Sequence, residues 1–186
     1  MSAVLEFRRH KFNRAQYERI VDAGIFGPED RLELLNGEIM DMAPQKSRHA
    51  TAVTLAGDVL RSAFGPDVTV RLQLPFALDD HSEPEPDVAV VPGKPRDYSD
   101  GHPVRALRDC EVSATTLAYD QGAKLAAYAR AEIPDYWILD LVAEVLEVYR
   151  KPEHGAYRER QILSAGGQVA PLAGYGRTVA VRALLP

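Results

Sequence analysis

Residues 68–91 read VTVRLQLPFALDDHSEPEPDVAVV, and two periodicities in this stretch decide the fold class. Val68, Val70, Leu72, Leu74, Phe76 and Leu78 alternate with Thr69, Arg71, Gln73, Pro75 and Ala77. Period two sends successive side chains to opposite faces, so the pattern predicts a strand over 68–78, with Pro75 marking an edge or a bulge. An acidic loop at 81–85 then leads through Pro86-Asp87 into Val88, Ala89, Val90 and Val91, a short apolar run of the sort a buried strand requires. A carboxylate thus stands at the mouth of a strand that belongs inside the molecule.

Working outward, Asn13 and Gln16 have capping-box spacing, and Tyr17, Ile20 and Val21 form one helical stripe that Gly24 can end. Segments 32–35 and 38–42 flank Asn36-Gly37, the dipeptide best suited to a two-residue hairpin turn. Ala52, Val53, Ala56, Val59, Leu60 and Ala63 recur at helical spacing within 47–64, Gly65-Pro66 stops that run, and His49 falls in its first turn. Downstream of the polar loop 92–103, a strand is predicted over 104–112. A helix follows over 120–132, with Leu125, Tyr128 and Ala129 inward and Ile133-Pro134 ending it. Strands are predicted at 136–141, 144–149, 157–163 and 177–185, the last two separated by a glycine-rich stretch. Helices and strands interleave without regular βαβ repetition, which gives an α/β (α+β) class: a mixed β-sheet flanked by helices in a single domain.

The chain has 186 residues, 46% of them hydrophobic and 26% charged, enough for one core without disulfide or metal staples. Its 22 Lys+Arg against 27 Asp+Glu leave a net charge of −5, which argues against holding nucleic acid by bulk electrostatics. A focused groove built from Arg8, Arg9, Lys11, Arg14, Lys46, Arg48 or Arg71 stays open. Cys110 is the single cysteine, and no Cys/His spacing suits zinc, which fits a reducing, cytoplasmic setting. No run reaches the roughly 18 apolar residues that a membrane span needs.

Three carboxylates stand where a sheet can gather them: Asp87, Glu111 and Glu33. Neighbouring strands lie about 4.8 Å apart, so an Asp on one and a Glu on the next can share Mg²⁺ or Mn²⁺ through hard oxygen ligands. Lys124 lies on the helix after Glu111, four residues from Asp120 and on the same face, where an ion pair between the two would aim the ammonium.

The order of Arg31-Leu-Glu-Leu-Leu-Asn-Gly-Glu38, His49, Glu85-Pro-Asp-Val-Ala-Val-Val91, Glu111-Val-Ser113, Asp120 through Lys124 and Ile133-Pro-Asp-Tyr-Trp-Ile-Leu-Asp140 resembles the Uma family of candidate endonucleases. That family falls within the restriction-endonuclease-like PD-(D/E)XK superfamily. The resemblance covers roughly residues 12–150 and implies an N-terminal extension at 1–11, a restriction-endonuclease-like core at 12–150 and C-terminal strands at 151–186. It implies that Asp87 and Glu111 hold the metal, with Glu33 as a third acid. His49 would bind phosphate or stand behind the ligands. Ser113 occupies the superfamily's usual lysine position, and Lys124 matches the lysine that the family places on the following helix.

The implied activity is metal-dependent hydrolysis of nucleic-acid phosphodiester bonds, DNA above all, and the alternating apolar residues of a possible edge strand at 178–185 predict a homodimer paired through it. The Asp87 and Glu111 carboxylates are then expected roughly 4 to 7 Å apart, a span set by metal–oxygen bond lengths. One departure is Arg108-Asp109-Cys110 directly before Glu111, since burying an Arg and an Asp is costly unless both are paired. A distorted strand there would favour a catalytically silent binding or assembly module of the same fold. Hydrolysis of a small phosphorylated metabolite would use the same metal chemistry.

Overall fold

In chain order the elements are α1 (Arg14–Asp22), β1 (Leu32–Leu35), β2 (Glu38–Asp41), α2 (Ser47–Phe64), β3 (Val68–Leu72), β4 (Val88–Pro92), β5 (Arg108–Ser113) and α3 (Leu117–Tyr119). A π-helical turn over Asp120–Lys124 follows, then α4 (Leu125–Arg130), β6 (Asp135–Asp140), β7 (Val145–Glu153), β8 (Ala156–Ser164), β9 (Gln168–Val169) and β10 (Val179–Ala180). The computed structural model describes residues 8–27, 29–174 and 176–186; residues 1–7 of the expected N-terminal extension lie outside them.

Local chemistry accounts for the first elements. The Asn13 side chain accepts from the Gln16 amide at 2.8 Å while the Gln16 side chain accepts from the Asn13 amide at 2.9 Å, which closes the capping box of α1. Asn36 and Gly37 turn the β1–β2 hairpin at φ 53° and 78°, and a Cβ at Gly37 would stand 2.8 Å from Lys11 Cβ.

The main sheet has the order β3-β4-β5-β6-β7-β8, mixed because β5 and β6 are parallel while the other pairs are antiparallel. Alternation divides its side chains between two cores. Val88, Val90, Cys110, Val112, Trp137 and Leu139 pack under α2, whereas Ala89, Val91, Tyr136 and Ile138 pack under α4. The helical run from Leu117 to Arg130 is the crossover that a parallel pair requires.

Several boundaries depart from expectation. The strand predicted over 68–78 ends at Leu72, because Gln73 takes φ 50° and turns its amide to the Pro86 and Asp87 carbonyls. Phe76 and Leu78 are buried in a loop, and that burial extended the alternation beyond the strand. The strand predicted from 104 starts at Arg108, and Val104 is exposed. The segment 177–185 is not an edge strand. Only Val179–Ala180 pairs, with β9, and Val179, Val181 and Leu184 are buried in the α2-side core, so the alternation marks packing positions that no partner can cover.

Residues 108–110 do not distort β5, which is buried along its whole length. Arg108 lies on the α2 side over the Trp137 ring, 3.4 Å from its centroid, and is ion-paired with Asp135. Asp135 also accepts from Arg150 at 3.0 Å, Trp137 Nε1 at 2.9 Å and the Leu172 amide at 3.1 Å. Asp109 is equally buried, but neither of its oxygens has a hydrogen-bond partner. Burial pushes its carboxyl up to about 8 against the pull of Lys124, so Asp109 keeps its proton at neutral pH.

Among the described residues no helix is long and apolar enough to cross a membrane.

Candidate active site

The register that pairs Val88 with Cys110 sets Asp87 opposite Glu111, on the face that turns toward α4. Directly opposed residues have Cβ atoms about 4.5–5.5 Å apart, so the two carboxylates are cross-strand neighbours. The Asp87 amide points to Glu111 Oε2 at 3.4 Å, and Asp87 Oδ2 accepts from the Val112 amide at 2.8 Å. Gln73, brought in by the turn that ends β3, donates to Asp87 Oδ1 at 2.9 Å. His49 Nε2 of α2 lies 3.2 Å from Asp87 Oδ2, and its buried Nδ1 has no partner.

Lys124 closes the other side. Its Nζ lies 3.1 Å from Glu111 Oε1 and 3.3 Å from Glu33 Oε2, with the lysine only 4% exposed. Glu33, from β1, is fixed in turn by the Glu85 amide at 3.0 Å and the Tyr119 hydroxyl at 3.0 Å. Tyr128, one turn beyond Lys124, donates its hydroxyl to Glu111 Oε1 at 2.9 Å. The expected Asp120–Lys124 pair does not form: Asp120 accepts from Thr116 Oγ1 at 2.7 Å, and the ammonium goes to the two glutamates.

The π turn explains how Tyr119 and Lys124 both reach Glu33. Five positions apart on a uniform α-helix they would project about 140° from each other. An i→i+5 turn advances about 80° per residue, which brings them to roughly 40–50°. The Tyr136 hydroxyl donates to the Asp120 carbonyl at 3.0 Å, inside this turn.

Charge in the site is asymmetric. Burial works against the Lys124 ammonium, yet Glu111, Glu33, Asp120 and Asp87 outweigh it and hold its pKa well above the ordinary lysine value. Burial also opposes the Asp87 anion, but His49, the Val112 amide and Gln73 overcome it and bring its pKa below the usual carboxylate value. Glu111 goes the other way: burial pushes it up to about 8, and Asp87, Asp120 and Glu33 add to that while Lys124 opposes it. The His49 imidazole is raised by its hydrogen bond to Asp87, against its own burial.

These groups open into one cleft of about 130 Å³, with Arg31 and Lys46 on its wall. Among the described residues no group of three or more His, Cys, Asp and Glu side chains is arranged to hold an ion. The donor set available is therefore the pair Asp87 and Glu111. Glu111 Oε2 meets only the long contact from the Asp87 amide, and Asp87 Oδ1 accepts one bond, so each keeps a lone pair for a ligand. Two hard carboxylates with the rest of the sphere left to water and phosphate is the pattern Mg²⁺ favours, so the residues fit such an ion.

All five residues expected at the site meet there. Tyr119, Tyr128, Gln73 and Glu85 were not anticipated. Tyr128 read as core from its helical stripe, although its i,i+4 spacing from Lys124 was a usable signal. Of the seven cations that could have formed a groove, Lys46 alone lines the cleft; Lys11, Arg14 and Arg48 pair with Glu38, Glu83 and Glu144.

A family model for Uma2, described as a putative restriction endonuclease, matches residues 14–182, a span that continues through the C-terminal segment. Among solved structures, a putative nuclease belonging to DUF820 from Anabaena variabilis superposes with a TM-score of 0.71 at 16% identity, covering 93% of this chain and 97% of that one. Identity at that level speaks for the fold alone. No curated protein matches the chain.

Proposed function

The chain belongs to the Uma2 family, and from that premise we propose that it is a metal-dependent nuclease that hydrolyses phosphodiester bonds of DNA. The observation that carries the reading is the lysine reaching both Glu111, at 3.1 Å, and Glu33, at 3.3 Å, beside Asp87 at the floor of a cleft. Asp87 and Glu111 would hold Mg²⁺ or Mn²⁺, which when bound lowers the pKa of a water and neutralises charge on the phosphate.

The chain's own groups do the rest. Lys124 presents a permanent positive charge beside the carboxylates, where it orients the attacking water and stabilises the charge that builds on the phosphate oxygens. Glu33 anchors that ammonium from the hairpin. His49 steadies Asp87 through Nε2. Arg31 and Lys46 supply cations on the cleft wall.

A duplex has two strands and this chain one cleft, so the proposal includes two copies acting as a homodimer. A reducing cytoplasm, in which the buried Cys110 stays a thiol, is the setting that goes with it. One ground for a silent module, a spoiled strand at 108–110, is absent because β5 runs unbroken through those residues, while the net charge of −5 stays on its side.

The test is incubation of the purified protein with supercoiled, linear and single-stranded DNA in Mg²⁺ or Mn²⁺, beside Asp87→Ala. Metal-dependent cleavage that the variant lacks supports the reading. Absence of cleavage by the wild type, or equal cleavage by both, overturns it.

A further inference from the structure

The two oxygens of Glu111 have unequal surroundings. Oε1 accepts from Lys124 Nζ at 3.1 Å and from the Tyr128 hydroxyl at 2.9 Å, while Oε2 meets only the Asp87 amide at 3.4 Å. Rotation of a carboxylate about its last torsion is soft and nearly two-fold, so an ammonium shared between Glu111 and Glu33 does not by itself decide which oxygen faces the cleft. Tyr128 can decide it. Its ring is fully buried on α4, packed against Tyr136 with centroids 4.9 Å apart, and it has only two torsions to fix. Tyr157, in the same cluster, spends its hydroxyl on the Ile133 carbonyl at 2.9 Å; Tyr128 aims its own at the site instead.

We propose that Tyr128 is a positioning residue that holds Glu111 Oε1 toward α4, so that Oε2 is turned to Asp87 and to the ion. The proposal rests on the reading of Asp87 and Glu111 as metal ligands. Tyr128 itself touches neither ion nor substrate in this arrangement.

Isothermal titration of Mn²⁺ into the wild type, Asp87→Asn, Tyr128→Phe and Tyr157→Phe separates the two claims. Partners that orient a metal ligand are typically worth 10- to 100-fold in affinity, so Tyr128→Phe is expected to bind Mn²⁺ roughly 10-fold or more weakly. Tyr157→Phe loses a hydrogen bond from the same aromatic cluster and is expected to bind as the wild type does. If the wild type binds no Mn²⁺, or Asp87→Asn binds it equally well, the metal-site reading falls and takes this proposal with it. If Asp87→Asn loses binding while Tyr128→Phe keeps it, or both tyrosine variants weaken alike, only the proposal about Tyr128 is overturned. A second measurement does not depend on Tyr128→Phe folding: 3-fluorotyrosine at position 128 keeps ring and hydroxyl, and its fluorine resonance is expected to shift as Mg²⁺ saturates. A resonance that does not move overturns the proposal.

Discussion

Glu111 and Asp109 stand two residues apart on the same face of β5 and are treated differently by their surroundings. Glu111 has an ammonium and a phenol to meet it, whereas Asp109 has no partner at all. Because its carboxyl is raised to about 8 in the folded chain and ionises near 4 when unfolded, the folded state holds the extra proton between those values. Stability from this group is therefore greatest at low pH and is lost as pH rises through about 8. Asp109→Asn keeps the size and removes the ionisation. The variant should match the wild type near pH 4 and exceed it by a few kcal/mol at about pH 9. Melting curves at both pH values check this, and a gap that does not widen with pH refutes it. Lys124 is the opposite case, since its removal strands two buried carboxylates. Lys124→Ala should cost about 3–5 kcal/mol in stability, the typical penalty for removing one partner of a buried ion pair. Cleavage should fall on the order of 10²-fold or more. Rates are to be compared well below the variant's melting temperature, and wild-type cleavage there would remove the assigned role.

The helical run from Leu117 to Arg130 shows most clearly where local reading stops. Its apolar stripe was legible, since Tyr128 and Ala129 are buried and Leu125 packs against the same core, but the π turn inside it was not. A π turn is held by what surrounds it, here Glu33 drawing in both Tyr119 and Lys124 and Tyr136 bonding the Asp120 carbonyl. Gly122 sits exposed in this turn, with open space where a Cβ would lie and without a positive φ. Gly122→Ala should therefore raise stability by about 0.5–1 kcal/mol through the unfolded chain while leaving cleavage unchanged. A lower melting temperature would show that the turn needs the glycine. The hairpin and α1 were legible for the converse reason, since a capping box and an Asn-Gly turn are made by residues next to each other in sequence, and α2 was legible from its apolar stripe and the Gly65 that ends it. The reading over 68–78 failed at Gln73 because alternation registers burial and is blind to one positive φ. Asp87, Glu111, Glu33 and Lys124 stood out by their places on predicted strands and the helix that follows, while their roles and that of His49 came from the order of family motifs. Tyr119 and Tyr128 stayed hidden because an aromatic on an apolar stripe looks the same whether or not its hydroxyl reaches an acid.

At the scale of the whole molecule, the main sheet ends in β3 and β8, and β8 discourages pairing with itself. Two copies of β8 related by a two-fold axis and centred on Arg160 would set arginine against arginine; centred on Glu159, they would set glutamate against glutamate and Arg158 against Arg160. Like charges directly opposite each other destabilise a sheet pair, so these two registers are disfavoured for the proposed dimer. The same scarcity of placed charge governs nucleic-acid binding. The net charge is −5, Lys11, Arg14 and Arg48 are paired with acids, and Arg71 donates to the Pro75 carbonyl. The described cations at the cleft are Arg31, Lys46 and the buried Lys124. Each phosphate neutralised on duplex DNA contributes about −0.9 to the slope of log K against log salt, so two or three contacts predict a slope of roughly −2 to −3. Lys46 is exposed on the wall and no acid is paired with it among the described ion pairs. Lys46→Ala should flatten the slope by about 1 and weaken binding evenly across unrelated sequences. Fluorescence anisotropy of labelled duplexes in Ca²⁺, with Asp87→Asn to prevent cleavage, measures both quantities. A wild-type slope near zero would mean that the cleft does not hold the backbone, and an unchanged slope in Lys46→Ala would place the phosphates on a different wall.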